Sequence, residues 1–153
     1  MHDKAFELGT LQSTTIQNSE EVKRVKIIAD LHIHSRYSMA TSRQGTPEYL
    51  DLWARKKGIS LIGTGDFTHP GWRQELQEKL EPAEEGLYRL KEEYVLEESR
   101  DMPGTAPRFA FTGEISSIYK KNGKCRKIHN VLLLSGMEAA DEMAGKLEKI
   151  GNI

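Results

Sequence analysis

Cysteine is almost absent from this chain: Cys125 is the single one among 153 residues. That excludes an internal disulfide framework and any cysteine-built zinc ribbon, and a lone thiol suits a reducing compartment. Long apolar runs are missing too. No stretch approaches the roughly 20 residues needed to cross a bilayer, and MHDKAFELGTLQSTT lacks the basic start and apolar core of a secretory signal. No membrane association is expected, and the default location is cytoplasmic. Charge of one sign is not in excess: 22 Lys and Arg stand against 23 Asp and Glu, a formal net charge of −1. No overall basic field therefore argues for nucleic acid, although a local basic face can sit inside such a total. Internal repeats and low-complexity tracts are also absent. The chain has 37% hydrophobic and 29% charged residues, ordinary for a globular domain with a core.

Residues 1–23 are polar and without period, which predicts a flexible N-terminal arm. From residue 24 the pattern becomes ordered. VKIIAD reads as a short buried strand and SRYSMATSRQG as a loop. TPEYLDLWARKKG reads as a helix capped by Thr46, started by Pro47 and ended by Gly58, with Tyr49, Leu50, Trp53 and Ala54 on its apolar face. ISLIGTG at 59–65 is a second strand, so the first part of the chain predicts a βαβ unit with parallel pairing. WRQELQEKL predicts a polar helix, and Leu87, Leu90, Tyr94 and Val95 predict one face of another. RFAFTGEISSIY is a third strand, KNGK a turn and KIHNVLLLS a fourth strand. Ser135 and Glu138 have capping-box spacing ahead of a helix striped by Ala140, Met143, Ala144, Leu147 and Ile150.

The residues able to carry chemistry gather where strands are expected to end. His32 and His34 follow VKIIAD, Asp66 and His69 follow ISLIGT, Glu114 follows RFAFT, and His129 lies in KIHNV. In parallel α/β sheets functional groups collect beyond the carboxyl ends of strands. In an extended segment residues i and i+2 share a face, so His32 and His34 present two imidazoles to one ion. Imidazole with carboxylate suits zinc, iron, manganese or nickel, and a carboxylate can bridge two ions; Glu114 is the candidate bridge. Each element alone is weak, since a histidine beside a strand is commonly a polar loop residue and GTGD is commonly only a tight turn. Their combined placement is what points to a metal centre. Asp30 reads as an acceptor that orients a histidine ring rather than as a ligand. Lys23, Arg24 and Lys26 are solvated charges by default, as are Lys120, Lys121, Lys124, Arg126 and Lys127. Within the second group Lys124, Arg126 and Lys127 are candidates for contact with a phosphate backbone. Trp72 is a candidate for stacking on a base, whereas Trp53 is expected in the core.

DLHIHSRYS at 30–38 resembles the first motif of the PHP (polymerase and histidinol phosphatase) superfamily. GTGDFTHP at 63–70 looks like its second motif, FTGEIS at 111–116 like its third, and KIHNVLLL like the histidine-bearing strand that follows. Within the superfamily, GTGDFTHPGW, the ATSR segment and GEISSIY…RKIHNVLLL look most like the endonuclease Q group, DNA repair nucleases that act at deaminated bases. The resemblance implies the first four or so strands of a distorted (β/α)7 barrel over residues 24–153, with two or three divalent metal ions, zinc or manganese, at the strand ends. It implies His32 and His34 on one metal, Glu114 bridging two, His129 on the second, and Asp66 or His69 supplied by the second motif. Glu114 and Asp66 would be the catalytic carboxylates and DNA the partner. Two departures stand out: Phe67 occupies the place of a family histidine, and the Asp and His of the family's last motif have no counterpart before Ile153. A complete barrel of this kind usually needs about 250 residues. The chain is therefore expected to be the N-terminal part of a larger domain, with the missing half supplied by a continuation or another chain. The alternatives are a small-molecule phosphoesterase of the histidinol-phosphatase type and an inactive remnant or metal-binding fragment.

Overall fold

Residues 26–150 are described by a computed structural model, in which a six-stranded mixed sheet is packed by four helices. The arm expected over residues 1–23 and the closing Gly151-Asn152-Ile153 lie outside the described residues. The βαβ unit is present: β1 (Ala29–Asp30) runs parallel to β2 (Leu61–Gly63), and α1 (Pro47–Lys57) connects them. Pro47 opens the helix after an extended Thr46. Gly58 closes it at φ 69°, in the left-handed region open to glycine, and its N–H returns to the carbonyls of Ala54 and Arg55. Thr46 makes no side-chain cap bond.

The first strand is shorter and more exposed than VKIIAD implied. Only Ala29 and Asp30 pair, and Ile27 and Ile28 are 61% and 49% exposed. The reason is position: among the described residues β1 is the edge of the sheet and pairs with β2 alone. α2 (Pro70–Lys79) then packs Trp72 and Leu76 into the core. No helix carries Leu87, Leu90, Tyr94 and Val95. Instead β3 (Leu80–Pro82) and β4 (Tyr88–Leu90) form an antiparallel hairpin, followed by a 3-10 turn at Glu92–Tyr94 and one-turn α3 (Glu97–Arg100). Leu80 and Leu90 lie opposite each other and are both buried.

The central strand is β5 (Arg108–Lys121). It pairs with β2 in parallel over residues 108–110, meets β4 at Phe109, and from Phe111 onward pairs antiparallel with β6 (Lys124–Leu134). The fourth strand expected from sequence after the KNGK turn therefore returns as the second arm of a hairpin. Its turn is Asn122-Gly123, both at positive φ (54° and 74°), the geometry that two-residue hairpin loops favour. α4 (Met137–Leu147) buries Ala140 and Ala144, with Met143 and Leu147 beside them; Ile150 lies past its end and is 80% exposed. The Ser135 capping box does not form. Gly136 occupies the N-cap position, and the Met137 N–H donates to the Tyr88 hydroxyl.

The core is built on Phe67, Trp72, Leu76, Phe109 and Phe111, all fully buried. Phe67 lies so close to Gly113 that a Cβ there would come within 2.3 Å of the ring.

Lys79 ties α1 to α2, its Nζ lying 2.5 Å from Glu48 and 2.7 Å from Glu75. Burial works to raise the Glu48 carboxyl, but hydrogen bonds from Lys79 and the backbone outweigh it and hold the pKa below the ordinary value. A depressed folded-state pKa gives stability that is present above the unfolded pKa and lost as pH falls through the folded one. Thermal melts should show the melting temperature dropping as pH falls below about 4.3. Glu48→Gln should lower the neutral-pH melting temperature and flatten that acid slope; an unchanged slope would remove Glu48 from the account.

Candidate metal centre

In the segment after β1, His32 and His34 are exposed while the intervening Ile33 packs against the core, the alternation of an extended chain. Two glycines let this segment approach the end of β2. A Cβ on Gly65 (φ 64°) would lie 2.2 Å from the Ile33 carbonyl oxygen, and one on Gly63 would lie 2.6 Å from that of Leu31. Glu114 sits on β5, four residues past Ala110, where parallel pairing with β2 stops.

The side chains converge on Glu114. Its Oε2 is 2.9 Å from His32 Nε2 and 3.6 Å from His34 Nε2, and its Oε1 contacts His129 Nδ1. Ligand atoms of His32, His34 and Glu114 all lie within 4.8 Å of one another, the one such cluster among the described residues. Tetrahedral ligands at 2.0–2.1 Å from a zinc ion stand about 3.4 Å apart, so these separations and this donor set suit one divalent cation. Glu114 turns one oxygen toward His32 and His34 and the other toward His129.

Asp66 orients this cluster. Its Oδ1 accepts from His34 Nδ1 at 2.9 Å, and its Oδ2 accepts from the Ser35 N–H at 2.6 Å and the Ser35 hydroxyl at 2.8 Å. A carboxylate acceptor fixes the proton on Nδ1 and leaves Nε2 free for an ion. This is the role that the sequence reading gave to Asp30, which lies exposed on β1. Asp66 has φ 41°, a backbone region that Asp tolerates better than most residues. Ser35, fully buried, escaped the sequence reading; its only signal was its place directly after His34.

Other candidates fall elsewhere. His69 is the N-cap of α2, where its Nδ1 accepts from the Trp72 N–H at 3.4 Å, and its ring lies 4.4 Å from that of Tyr37. His129 stands in the middle of β6 opposite Ser116, not at a strand exit, and reaches Glu114 across the hairpin. Trp72 is 0% exposed, and its indole N–H lies 3.1 Å from the carbonyls of both Thr64 and Gly65, so it offers no face to a base. Trp53, expected in the core, is 49% exposed with the Lys56 ammonium 4.8 Å from its ring centroid, because α1 turns Leu52 and Ala54 inward instead. Phe67, in the place of a family histidine, is core. Lys124, Arg126 and Lys127 are exposed on β6. No helix of the described residues is long and apolar enough to cross a membrane.

No family model matches the chain. Its mixed α/β fold is similar to endonuclease Q. The crystal structure of endonuclease Q in complex with a 27-mer duplex substrate carrying an abasic lesion at the active site matches 81% of this chain, with a TM-score of 0.59 and 26% identity. That of the lesion-specific endonuclease from Pyrococcus furiosus matches 80%, with the same TM-score and identity. An uncharacterized protein of Methanocaldococcus jannaschii is 45% identical over 49 residues, which make up 32% of this chain. The chain spans 26% and 25% of the two solved chains and 6% of the curated relative.

Proposed function

We propose that this chain carries the metal-binding part of a PHP-type, endonuclease Q-like phosphodiesterase that cuts DNA beside a lesion. The supporting observation is the convergence of His32, His34 and His129 on the two oxygens of Glu114, in a fold similar to endonuclease Q. In this reading β1, β2 and the start of β5 are the opening strands of a PHP-type barrel. His32 and His34 hold one divalent cation, zinc or manganese, Glu114 reaches a second, and His129 binds on that second side. Asp66 keeps the His34 ring turned so that Nε2 faces the ion. Such a cation supplies positive charge against the phosphate oxygens and lowers the pKa of water toward neutrality. Arg36, directly after Ser35, anchors the segment to α2 through Glu75 at 2.9 Å, which fixes where the two histidines stand.

The test is cleavage of end-labelled duplexes containing uracil, hypoxanthine or an abasic site, beside an undamaged duplex and a phosphomonoester, with manganese or zinc added and then chelated. Metal-dependent nicking of the damaged strand is the expected result. Hydrolysis of the monoester alone would assign the chain to small-molecule phosphoesterases of the histidinol-phosphatase type. No bound metal and no hydrolysis would discard both readings.

A further inference from the structure

The hairpin arm formed by β5 and β6 carries a charge pattern that the metal centre does not use. Every residue from Ser116 to Asn130 is exposed. Between Ile115 and Met137 there are five cations, Lys120, Lys121, Lys124, Arg126 and Lys127, and no Asp or Glu, which leaves 17 cations against 23 anions in the rest of the chain. The near-neutral total thus conceals a strongly basic arm joined directly to the metal centre.

The strand register divides those cations between two faces. Glu114 and His129 touch across the hairpin and so share a face. Alternation then places Ser116, Ile118 and Lys120 of β5 on that face, with Lys127 and Cys125 of β6 beside them, because Lys127 lies opposite Ile118 and Cys125 opposite Lys120. Lys121, Lys124 and Arg126 fall on the other face, the one that begins as core with Phe111 and Leu134. At about 3.4 Å per residue, Lys127 lies about 7 Å and Lys120, level with Cys125, about 14 Å from His129 along the arm. One DNA strand advances about 3.4 Å of axis per nucleotide, so these two ammonium groups lie about two and about four nucleotides from the metal centre.

We infer that the face of the arm bearing Lys127 and Lys120 is a track for the phosphate backbone of the DNA strand being cut, aligning it with Glu114 and His129. This rests on the DNA reading above and adds which residues position the strand and along which line it lies. The two lysines are positioning residues: they contact phosphates without reading bases, so their contribution is independent of sequence and sensitive to salt.

The experiment measures binding of a fluorescent duplex containing an abasic site, with metal chelated so that nothing is cut, between 50 and 200 mM salt. Lys120→Gln/Lys127→Gln should bind more weakly, and its affinity should fall about tenfold less than wild type across that range, the effect of losing two phosphate contacts. Lys121→Gln/Lys124→Gln should keep the wild-type salt slope. All four positions are exposed on the arm, and melting curves would check that both variants fold. An unchanged slope in Lys120→Gln/Lys127→Gln, or an equal loss in both variants, overturns the inference while wild-type nicking leaves the DNA reading intact. Wild-type protein that neither binds nor nicks DNA overturns both.

Discussion

Under the proposed function, Glu114→Gln should abolish both metal binding and nicking. Glu114 alone among the described carboxylates contacts all three of His32, His34 and His129, and its side chain is only 15% exposed. Glutamine keeps the shape but replaces one anionic oxygen with an N–H donor. Whichever way the amide turns, one group of histidines faces a donor, and the negative charge that balances a cation is gone. Charge stabilisation by a metal is worth several kcal/mol, which at about 1.4 kcal/mol per decade is about a thousandfold in rate. Metal per chain, counted by elemental analysis beside the nicking rate, checks this. A variant that keeps full metal content and loses only activity would show that Glu114 acts on the substrate rather than on the ions. One that keeps both would remove Glu114 from the site.

The second large effect is on stability. Trp72→Ala should cost about 3–5 kcal/mol, the range for deleting a large aromatic from a core. It also strands the carbonyls of Thr64 and Gly65, which share the indole N–H. For a domain of this size about 2–4 °C is lost per kcal/mol, so the melting temperature should fall by about 10 °C. Trp72→Phe should recover most of the packing and leave the two carbonyls unpaired, giving an intermediate melt. Those carbonyls belong to the residues just before Asp66, so the loss should also weaken metal binding indirectly. A Trp72→Ala protein that melts like wild type but binds DNA poorly would restore the stacking role that its burial argues against.

The legible parts of this molecule are those set by local chemistry. His32 and His34 share a face because extended backbone alternates, and Asn122-Gly123 announces a tight hairpin because both positions take positive φ. The Pro47 start and Gly58 stop of α1 were equally plain. What sequence alone could not give was set by pairing at a distance. Leu87, Leu90, Tyr94 and Val95 suit a helix stripe, but Tyr88 pairs with Phe109 and Leu90 with Leu80, and those contacts put Leu90 in a strand and leave Leu87, Tyr94 and Val95 in the loop and 3-10 turn beside it. Ser135 and Glu138 have the right spacing for a capping box, yet Tyr88, 49 residues away from Met137, takes the N–H at the helix start. At the candidate site the residue types were visible but their division of labour was not. Asp30 and Asp66 look alike in the sequence, and only the approach of Gly65 to Ile33 decides which carboxylate meets His34.

The two halves of the candidate centre lie at very different distances along the chain. Glu114 and His129 are 15 residues apart across a two-residue turn, and such hairpins close in about 1–10 μs. His32 and Glu114 are 82 residues apart and meet only after β1 has docked on β2 and β2 on β5, a late event by loop-closure entropy. Among the described residues β1 is also the edge of the sheet, the kind of element that detaches first when a native protein opens locally. Its release would carry away His32 and His34 and leave Glu114 joined to His129. A cation gripping both halves would thus act as a rivet on the most easily opened seam of the sheet, and the gain would appear as slowed amide exchange in β1 more than in the hairpin.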